Sequence, residues 1–345
     1  MAGRSDIRVS VVIVTWNERE RIGDCLPSLV PELRPGDELI VSDNGSTDGT
    51  IDEVRRLAPD AKVVENGANL GFPEACNAGA AVATGDLLVL LNPDTIVAPG
   101  WAGGIRRPLA EERGWAAWQA LVTMDGGTRV NTDGGVVHYT GIAWAGHMGD
   151  PIDVAPPQAQ EVAFASGACL ALPLATWRRI GGMPGHFFLY CDDVDIAMTL
   201  RLEGGVIGIE PAARVDHAYE FSRRGVKWRM LERNRWATVL RNYPTGLLLA
   251  LLPALVATDL ALLFIAFAGG WGTQKLQAIG DVVRSLPVVL RERRGIQARR
   301  RISSAEFARW LVPELSSSYL PAGARNPLLN VLLRLYWRVA LAAIG

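Results

Sequence analysis

The stretch LLVLLNPDTIV, residues 87–97, carries an acid, Asp94, shortly after an unbroken aliphatic run. Such a run is typical of a fully buried strand. A second group of acids, Asp192, Asp193 and Asp195, follows the aromatic run FFLY. Apolar neighbours raise the pKa of a carboxyl group, so one of these acids is a candidate general base. A turn or a helix cap explains any single acid, but the two groups together favour a site that uses negative charge.

Asp94 suits a divalent metal ion. A diphosphate leaving group carries several negative charges, and an acidic pocket repels it unless a cation lies between them. Hard cations such as Mg²⁺ take oxygen ligands, typically one or two carboxylates together with substrate phosphates and water. His217, which follows a short strand in RVDHAY, is a second candidate ligand. A lone histidine is more often structural, so both interpretations of His217 stay open.

Short apolar runs alternate with helical stretches from residue 9 onwards. The predicted strands cover 9–15, 37–43, 61–66 and 86–94, and the predicted helices cover 20–30, 50–58 and 73–83. This alternation predicts an α/β fold built from βαβ units, with a parallel sheet covered on both faces. A second group of strands is expected in 115–172, and a short helix in 192–203.

Polar side chains follow all four predicted strands, at the edge where open α/β sheets bind their ligands. They are Thr15, Asn17 and Glu18 after the first strand, the run Asp43 to Asp48 after the second, Asn69 after the third, and Asn92 and Asp94 after the fourth. Ser46 also suits a helix cap, and Asn44-Gly45 suits a turn. No GxGxxG, GxxxxGKS or GxxxxGKT motif follows the first strand, which disfavours a dehydrogenase and a P-loop enzyme.

The charge of the chain is divided unequally along its 345 residues, although the formal net charge is only -1. Residues 1–217 hold 16 Lys/Arg against 29 Asp/Glu, a balance of -13, and residues 218–345 hold 19 against 7, a balance of +12. An acidic body and a basic tail indicate two different tasks. The four cysteines are dispersed without a CxxC motif, which indicates a reducing compartment, and no secretory signal is expected.

The motifs of the first two thirds of the chain resemble those of a known enzyme family. VSVVIVTWNE, IVSDNGSTDGT, NLGFPEACNAGA and LLVLLNPDT are similar, in this order, to the motifs of family 2 inverting glycosyltransferases with the GT-A fold, a Rossmann-like mixed sheet. ASGACLALPLATWRRIGG, FFLYCDDVDIAMTLRL and VDHAY resemble the acceptor-side half of the same family. The resemblance covers about residues 9–220 and is nearest to a bacterial rhamnosyltransferase-like branch that acts in cell-wall and surface polysaccharide assembly.

The resemblance implies a role for each matching residue. The donor nucleotide would be held by Thr15, Asn17, Glu18, Asp43, Asn69, Asn77 and Asn92. Asp94 would bind Mg²⁺ or Mn²⁺ on the diphosphate, and His217 would complete the metal site. Asp193 would act as the general base that deprotonates the acceptor hydroxyl. The acceptor side would include Gly167, Tyr190 and Asp192.

The implied activity is that of a metal-dependent, inverting hexosyltransferase. The preferred substrates are dTDP-rhamnose, as donor of L-rhamnose, and a hydroxyl of a lipid-linked saccharide in cell-wall or surface polysaccharide synthesis. The alternatives are another donor (UDP-galactofuranose, a UDP-hexose or GDP-mannose) and a non-catalytic scaffold that binds nucleotide-sugar. Three departures leave donor and acceptor open: Asp192 replaces a Glu, GGMPG replaces GGFDE at 181–185, and Thr199 stands where an Arg is common.

The tail, residues 223–345, is expected to form a basic and apolar helical region after a catalytic domain at 1–222. Residues 247–268 are long enough to cross a bilayer, but Asp259 lies inside them and Pro253 interrupts them.

A single span would place the catalytic domain and residues 271–345 on opposite sides of the membrane. Residues 271–345 hold 12 Lys/Arg against 4 Asp/Glu, which favours the cytoplasm, and a domain that uses nucleotide-sugar is cytoplasmic as well. We therefore expect a re-entrant hairpin or interfacial helices at the cytoplasmic face. The basic residues 223–241 and 284–301 would lie at anionic headgroups. A soluble helical subdomain with an oligomer interface is the alternative, and nucleic acid is disfavoured by the adjacent apolar segments.

Overall fold

The computed structural model describes residues 6–218, 225–317 and 326–344. The chain divides into two compact units. Unit 1 comprises Met1–Gly135, Ala145–Ala197 and Gly205–Glu220, and unit 2 comprises Val136–Trp144, Met198–Gly204 and Phe221–Gly345. The predicted boundary between residues 222 and 223 lies outside the described residues and stays a prediction.

Most of the described strands belong to unit 1. They are β1 (Val9–Thr15), β2 (Glu38–Asp43), β3 (Lys62–Glu65), β4 (Leu87–Leu91), β5 (Thr95–Val97), β6 (Trp115–Met124), β7 (Arg129–Thr132), β8 (Gly135–Val137), β9 (Ala143–Ala145), β10 (Gln160–Glu161), β11 (Cys169–Pro173) and β12 (Val206–His217).

The helices lie between these strands and in the tail. They are α1 (Arg19–Leu29), α2 (Thr50–Leu57), α3 (Phe72–Ala81), α4 (Trp101–Ala110), α5 (Leu174–Ile180), α6 (Asp192–Leu202), α7 (Gly225–Asn242), α8 (Thr245–Ala268), α9 (Gly272–Ala298), α10 (Ser304–Ala308) and α11 (Pro327–Ile344). Short 3₁₀ turns occupy Val30–Glu32, Ile152–Val154 and Gly185–Phe187.

Ten of the described strands form one mixed sheet. Its main order is β10-β12-β6-β11-β4-β1-β2-β3, with β5 beside β12 and β7 beside β6, while β8 and β9 pair separately. The strands β3, β2, β1 and β4 are parallel, as the sequence predicts. The next strand, β11, is antiparallel to both β4 and β6, which makes the sheet mixed.

The central position of β4 explains its aliphatic sequence. All of its side chains are buried, because β1 and β11 flank it and helices cover the sheet. The pairing of Leu91 with both Ile13 and Cys169 fixes where the strand ends. The polar residues from Asn92 onwards therefore leave the sheet at its carboxyl edge.

The described helices of unit 2 include the long apolar helix α8. It runs for 24 residues without a break, so the interruption expected at Pro253 is absent. The Pro253 side chain is exposed, and a proline in that position costs the helix one hydrogen bond without displacing a neighbouring helix. Both α8 and α11 are long and apolar enough to cross a membrane by length and composition alone.

Candidate active site

Asp43, at the end of β2, organises the loop that follows it. Its Oδ1 accepts hydrogen bonds from Thr15 Oγ1 at 2.8 Å and from Ser46 Oγ at 2.5 Å. Its Oδ2 accepts from the backbone N–H groups of Gly45 at 3.0 Å and Ser46 at 2.8 Å. Because Asp43 is buried and engaged in this way, it holds the loop in shape, and its predicted contact with the donor nucleotide stays a prediction.

The turn after β1 is joined to the same loop by Asn17. The Asn17 N–H donates to Ser46 Oγ at 2.8 Å, and Asn17 Oδ1 accepts from the Thr47 N–H at 2.8 Å. The backbone at Asn17 is left-handed, with φ at 56°, a conformation that asparagine adopts more readily than most residues. The loops after β1 and β2 therefore form one hydrogen-bonded surface.

Glu18 is the half-buried acid of this surface. Burial raises the pKa of its carboxyl group, Arg21 lowers it, and the charges of Asp94 and Asp48 raise it. The parallel pairing of β1 with β4 places the ends of these two strands side by side, as the sequence predicts.

The end of β3 is connected to the same edge through two asparagines. Asn69 Oδ1 accepts from the Gly71 N–H at 3.0 Å and from Asn44 Nδ2 at 3.4 Å. Asn44 Nδ2 also donates to the Gly71 carbonyl at 3.2 Å. Asn69 therefore lies where the resemblance puts it, at the sheet edge, and its contact with a nucleotide stays a prediction.

Asp94 and His217 meet although 122 residues separate them in the sequence. Asp94 Oδ1 lies 3.0 Å from His217 Nε2, and Asn92 Nδ2 lies 3.4 Å from the same ring nitrogen. The antiparallel pairing of β5 with β12 produces this contact, because it sets His217 opposite Thr95. The Ala218 N–H completes the connection by donating to the Asp94 carbonyl at 3.1 Å.

The donor set at this position fits a divalent cation that is shared with a substrate. Asp94 Oδ1 is buried, and among the described residues it makes no hydrogen bond beyond its 3.0 Å approach to His217 Nε2. A carboxylate oxygen in that state is open to a cation. The described residues contain no group of three or more His, Cys, Asp or Glu side chains able to hold a metal. Asp94 and His217 would therefore supply only part of a coordination shell, which phosphate oxygens and water would complete.

Asp193 lies next to this edge, at the start of α6. Its Oδ2 accepts from the Gly167 N–H at 3.2 Å, and its Oδ1 accepts from the Val194 N–H at 2.8 Å. The carbonyl of Ala168, the residue after Gly167, accepts a hydrogen bond from the Asn92 N–H at 3.0 Å. The adjacent residues Gly167 and Ala168 therefore bring Asp193 and the end of β4 together.

Burial raises the pKa of both Asp192 and Asp193 above the ordinary range of an aspartate. The charges of Asp193 and Asp195 raise the pKa of Asp192 further, while backbone N–H groups, that of Gly167 first, oppose the rise at Asp193. A carboxylate with a raised pKa is a stronger base once it is deprotonated. The predicted general base and its neighbour thus have the electrostatic setting that proton transfer needs.

The segment before Asp193 has an unusual backbone. Phe188, Tyr190 and Cys191 all have φ near 60–70°, at 62°, 71° and 62°, a region that residues other than glycine rarely adopt. Such strain persists only where surrounding contacts enforce it, and it is frequent at functional sites. Tyr190 is half-buried in this segment, and its predicted contact with an acceptor stays a prediction.

Helix α3 supplies the contacts that hold this segment. The Phe72 N–H donates to the Phe188 carbonyl at 2.8 Å. Asn77 binds the backbone of Met183 twice, from Nδ2 to its carbonyl at 2.9 Å and from its N–H to Oδ1 at 3.0 Å. A Cβ atom on Gly71 would lie 2.3 Å from the Phe188 carbonyl oxygen, so only glycine fits there. The contacts of Asn77 are thus with the acceptor-side segment, and its predicted contact with the nucleotide stays a prediction.

The sequence analysis missed Gln119 on β6. Its Oε1 accepts from the Ser166 N–H at 2.8 Å, and its Nε2 donates to the Thr132 carbonyl at 3.1 Å. It is fully buried and fixes the turn that presents Gly167 to Asp193. A buried glutamine inside the run WAAWQALV was the signal that could have identified it.

Comparisons with known proteins show which family this chain resembles. Residues 10–136 match the family model described as Glycosyl transferase family 2. An N-acetylglucosaminyl-diphospho-decaprenol L-rhamnosyltransferase from Mycobacterium tuberculosis is 26% identical over 233 residues, which cover 60% of this chain and 75% of the relative. A glucosyl-3-phosphoglycerate synthase from Mycolicibacterium smegmatis is 40% identical over 103 residues, 28% of this chain and 32% of that protein.

One solved structure supports the fold. The crystal structure of GalNAc-T7 with UDP, GalNAc and Mn²⁺ aligns with a TM-score of 0.59 at 18% identity, over 70% of this chain and 49% of that chain. The GT-A fold and the family resemblance predicted from the motifs are confirmed.

Proposed function

We propose that this chain, which is a family 2 glycosyltransferase with the GT-A fold, moves a sugar from a nucleotide-sugar to a hydroxyl of a lipid-linked saccharide. The preferred donor is dTDP-rhamnose, and the reaction would invert the anomeric centre. The observation that carries the proposal is the meeting, at one sheet edge, of the Asp94–His217 pair and the half-buried Asp193. The first is suited to a diphosphate and the second to a hydroxyl proton.

The residues of the chain suggest the order of events. Asp193 takes the proton of the acceptor hydroxyl. The raised pKa of the Asp193 carboxyl group favours this transfer. The acceptor oxygen then forms a bond to the anomeric carbon as the bond from that carbon to the diphosphate breaks on the opposite face. The leaving nucleoside diphosphate keeps the electron pair, so the anomeric configuration is inverted.

Asp94 and His217 are the residues that would hold Mg²⁺ or Mn²⁺. A divalent cation supplies charge neutralisation to a departing diphosphate. Asn92, whose side chain lies beside His217 Nε2, occupies a position where a second aspartate would add negative charge to the site. The site therefore has one acid, Asp94, instead of two. We therefore infer that the metal binds tightly only together with the nucleotide diphosphate, whose oxygens complete the shell.

The lipid-linked acceptor is supported by the mycobacterial relative, whose name specifies a decaprenol-linked saccharide. The two apolar helices α8 and α11 support membrane proximity, and a nucleotide-sugar donor favours the cytoplasmic face. Transfer to a polyprenyl-diphosphate saccharide is then the proposed reaction in cell-wall or surface polysaccharide synthesis.

The full-length protein tests this proposal with a donor panel. It is incubated with dTDP-rhamnose, UDP-galactofuranose, UDP-glucose and GDP-mannose, each with Mn²⁺, Mg²⁺ or EDTA, and release of nucleoside diphosphate is measured. We expect metal-dependent turnover of one donor, accelerated by a polyprenyl-diphosphate N-acetylglucosamine acceptor. The Asp94→Asn variant should lose this metal-dependent turnover. The control is Asp52→Asn, at an acid on α2 whose side chain is 89% exposed, and it should keep the turnover.

The alternative is a scaffold that binds nucleotide-sugar without turning it over. Binding of one donor to the wild-type protein without release of diphosphate, with or without acceptor, would establish that alternative.

A further inference from the structure

Unit 2 exposes an unusually large apolar helix surface, which we name the α8 face. It consists of Leu249, Leu252, Val256, Leu260, Phe264 and Phe267. Phe264 is 78% exposed and Leu249 is 64% exposed, although aliphatic and aromatic side chains of this size are normally buried. The helix has 24 residues and is about 36 Å long at about 1.5 Å per residue, and the face from Leu249 to Phe267 covers about 27 Å of it.

The α8 face is also wide. Successive residues of a helix are rotated by about 100° around its axis. Viewed down that axis, the exposed positions of α8 form an arc of about 220°, with Leu252 at one end and Ile265 at the other. An amphipathic helix on a soluble protein typically has an apolar stripe of about 100°, which faces the core. A flat protein partner covers less than half of a helix, whereas lipid chains follow its whole curved surface.

A second apolar face adjoins the first. The C-terminal helix α11 contacts α8 through Tyr336, whose hydroxyl donates to the Ala250 carbonyl at 2.7 Å. On α11 the exposed side chains include Leu328, Leu332, Leu335 and Val339, which follow one another at helical spacing, together with Val331 and the charged Arg338. Two neighbouring helices of unit 2 therefore both present apolar side chains to their surroundings.

One edge of the α8 face, at Asp259, is bound to charged helices. Asp259 Oδ1 accepts from Lys275 Nζ at 2.6 Å, from Arg235 Nη2 at 3.0 Å and from Trp236 Nε1 at 2.8 Å. These partners lie on α7 and α9, which together hold ten Lys/Arg and three Asp/Glu, a net charge of +7. If α8 crossed a bilayer, it would draw these charges into the hydrocarbon or break the Asp259 ion pairs, and both are costly.

We propose that α8 and α11 lie in the plane of an anionic bilayer, embedded from one side, and that α8 does not span it. The apolar faces enter the boundary between headgroups and acyl chains, as interfacial helices do. The exposed cations Arg284, Arg291 and Arg294 of α9 supply attraction to anionic headgroups. This inference does not depend on the transfer reaction, so it survives or fails separately from the proposed function.

Vesicle binding tests the occupant of the α8 face. The full-length protein is co-sedimented with vesicles of phosphatidylglycerol and phosphatidylcholine, and with phosphatidylcholine alone. We expect binding to the anionic vesicles, at least about tenfold weaker after Phe264→Asp combined with Leu260→Asp. The control is Val154→Asp, at a 45% exposed valine of unit 1, which should leave binding unchanged. Circular dichroism checks that each variant is folded.

Depth measurements separate an in-plane helix from a span. A nitroxide is attached at Leu249→Cys, Val256→Cys or Phe264→Cys in a Cys191→Ser background, since the other three cysteines are buried. Paramagnetic relaxation in vesicles should give one shallow depth for all three sites. A maximum depth at residue 256 would show a transmembrane helix and overturn the proposal. Absence of vesicle binding, with a dimer that Phe264→Asp dissociates, would assign the face to a second copy and overturn it as well.

Discussion

Asp192 and Asp193 are adjacent acids whose environments differ. Asp193 has two backbone N–H donors and is directed towards Gly167, while Asp192 is almost fully buried at the start of the same helix. Burial raises the pKa of both carboxyl groups. We infer that Asp193 carries the proton transfer and that burial raises its pKa, while the charge of Asp193 helps to raise the pKa of Asp192.

The raised pKa of Asp192 predicts a pH-dependent stability difference. Between the unfolded pKa, about 3.9, and the higher folded value, the folded protein binds more protons than the unfolded chain, so its stability falls as pH rises. Asp192→Asn removes this penalty and should raise Tm at pH 7 by about 2 °C or more. The advantage should shrink as the pH approaches 4. Calorimetry over this range measures it, and a variant with lower Tm at pH 7 would contradict the assignment.

Sequence reasoning located the acids at the residue scale but not their contacts. Asp94 could be predicted because a fully aliphatic run marks β4 and its end. The pairing of Asp94 with His217 could not be derived from pattern, because β5 has only three residues and shows no periodicity. The left-handed backbone at Phe188 and Tyr190 had no signal either, since neither residue is a glycine.

Helix α3 connects the donor side of the site to the acceptor side at the scale of elements. Its first turn binds the Phe188 carbonyl, and Asn77 binds both backbone groups of Met183. The close approach at Gly71 leaves no room for a side chain. A segment with three left-handed residues before Asp193 needs such support to hold one conformation.

We predict that Asn77→Ala separates turnover from donor binding. Loss of the two bonds to Met183 releases the segment that precedes the base, so kcat should fall by about 10–100-fold while donor Kd changes little. Titration calorimetry and steady-state kinetics measure the two quantities. If donor affinity fell in step with kcat/KM and kcat were retained, Asn77 would hold the nucleotide, as the family resemblance implies.

The whole molecule combines an acidic first part with a basic tail, and the structure shows that part of the basic charge is internal. Lys275 is fully buried, where it contacts Asp259 at 2.6 Å and Glu232 at 2.5 Å, and Arg235 contacts the same two acids. The balance of +12 predicted a charged surface, but a buried network cannot be distinguished from an exposed one by counting residues. Of the remaining cations of α9, Arg291 and Arg294 are exposed, whereas Arg293 is half-buried and donates to two backbone carbonyls, and the exposed Arg284 pairs with Asp281.

We predict that the buried network stabilises unit 2 only while it is complete. Lys275→Met leaves Glu232 and Asp259 with one cation fewer, and should lower the free energy of unfolding by about 3–5 kcal/mol. Arg334→Met is the control, because its pair with Glu314 is largely exposed and contributes about 0–1 kcal/mol. Urea denaturation compares them, and equal effects of the two substitutions would contradict a buried network.

The most direct test of the catalytic site is the pair of measurements on Asp193→Asn: the transfer rate and the donor affinity. With the donor identified by the panel, we expect the transfer rate to fall by about 10²–10⁴-fold, because the amide cannot accept the hydroxyl proton. Donor Kd should stay within about threefold of the wild-type value, since Asp193 binds the backbone of Gly167 and Val194 and not the nucleotide loops. Near-normal transfer by Asp193→Asn would show that another group removes the proton.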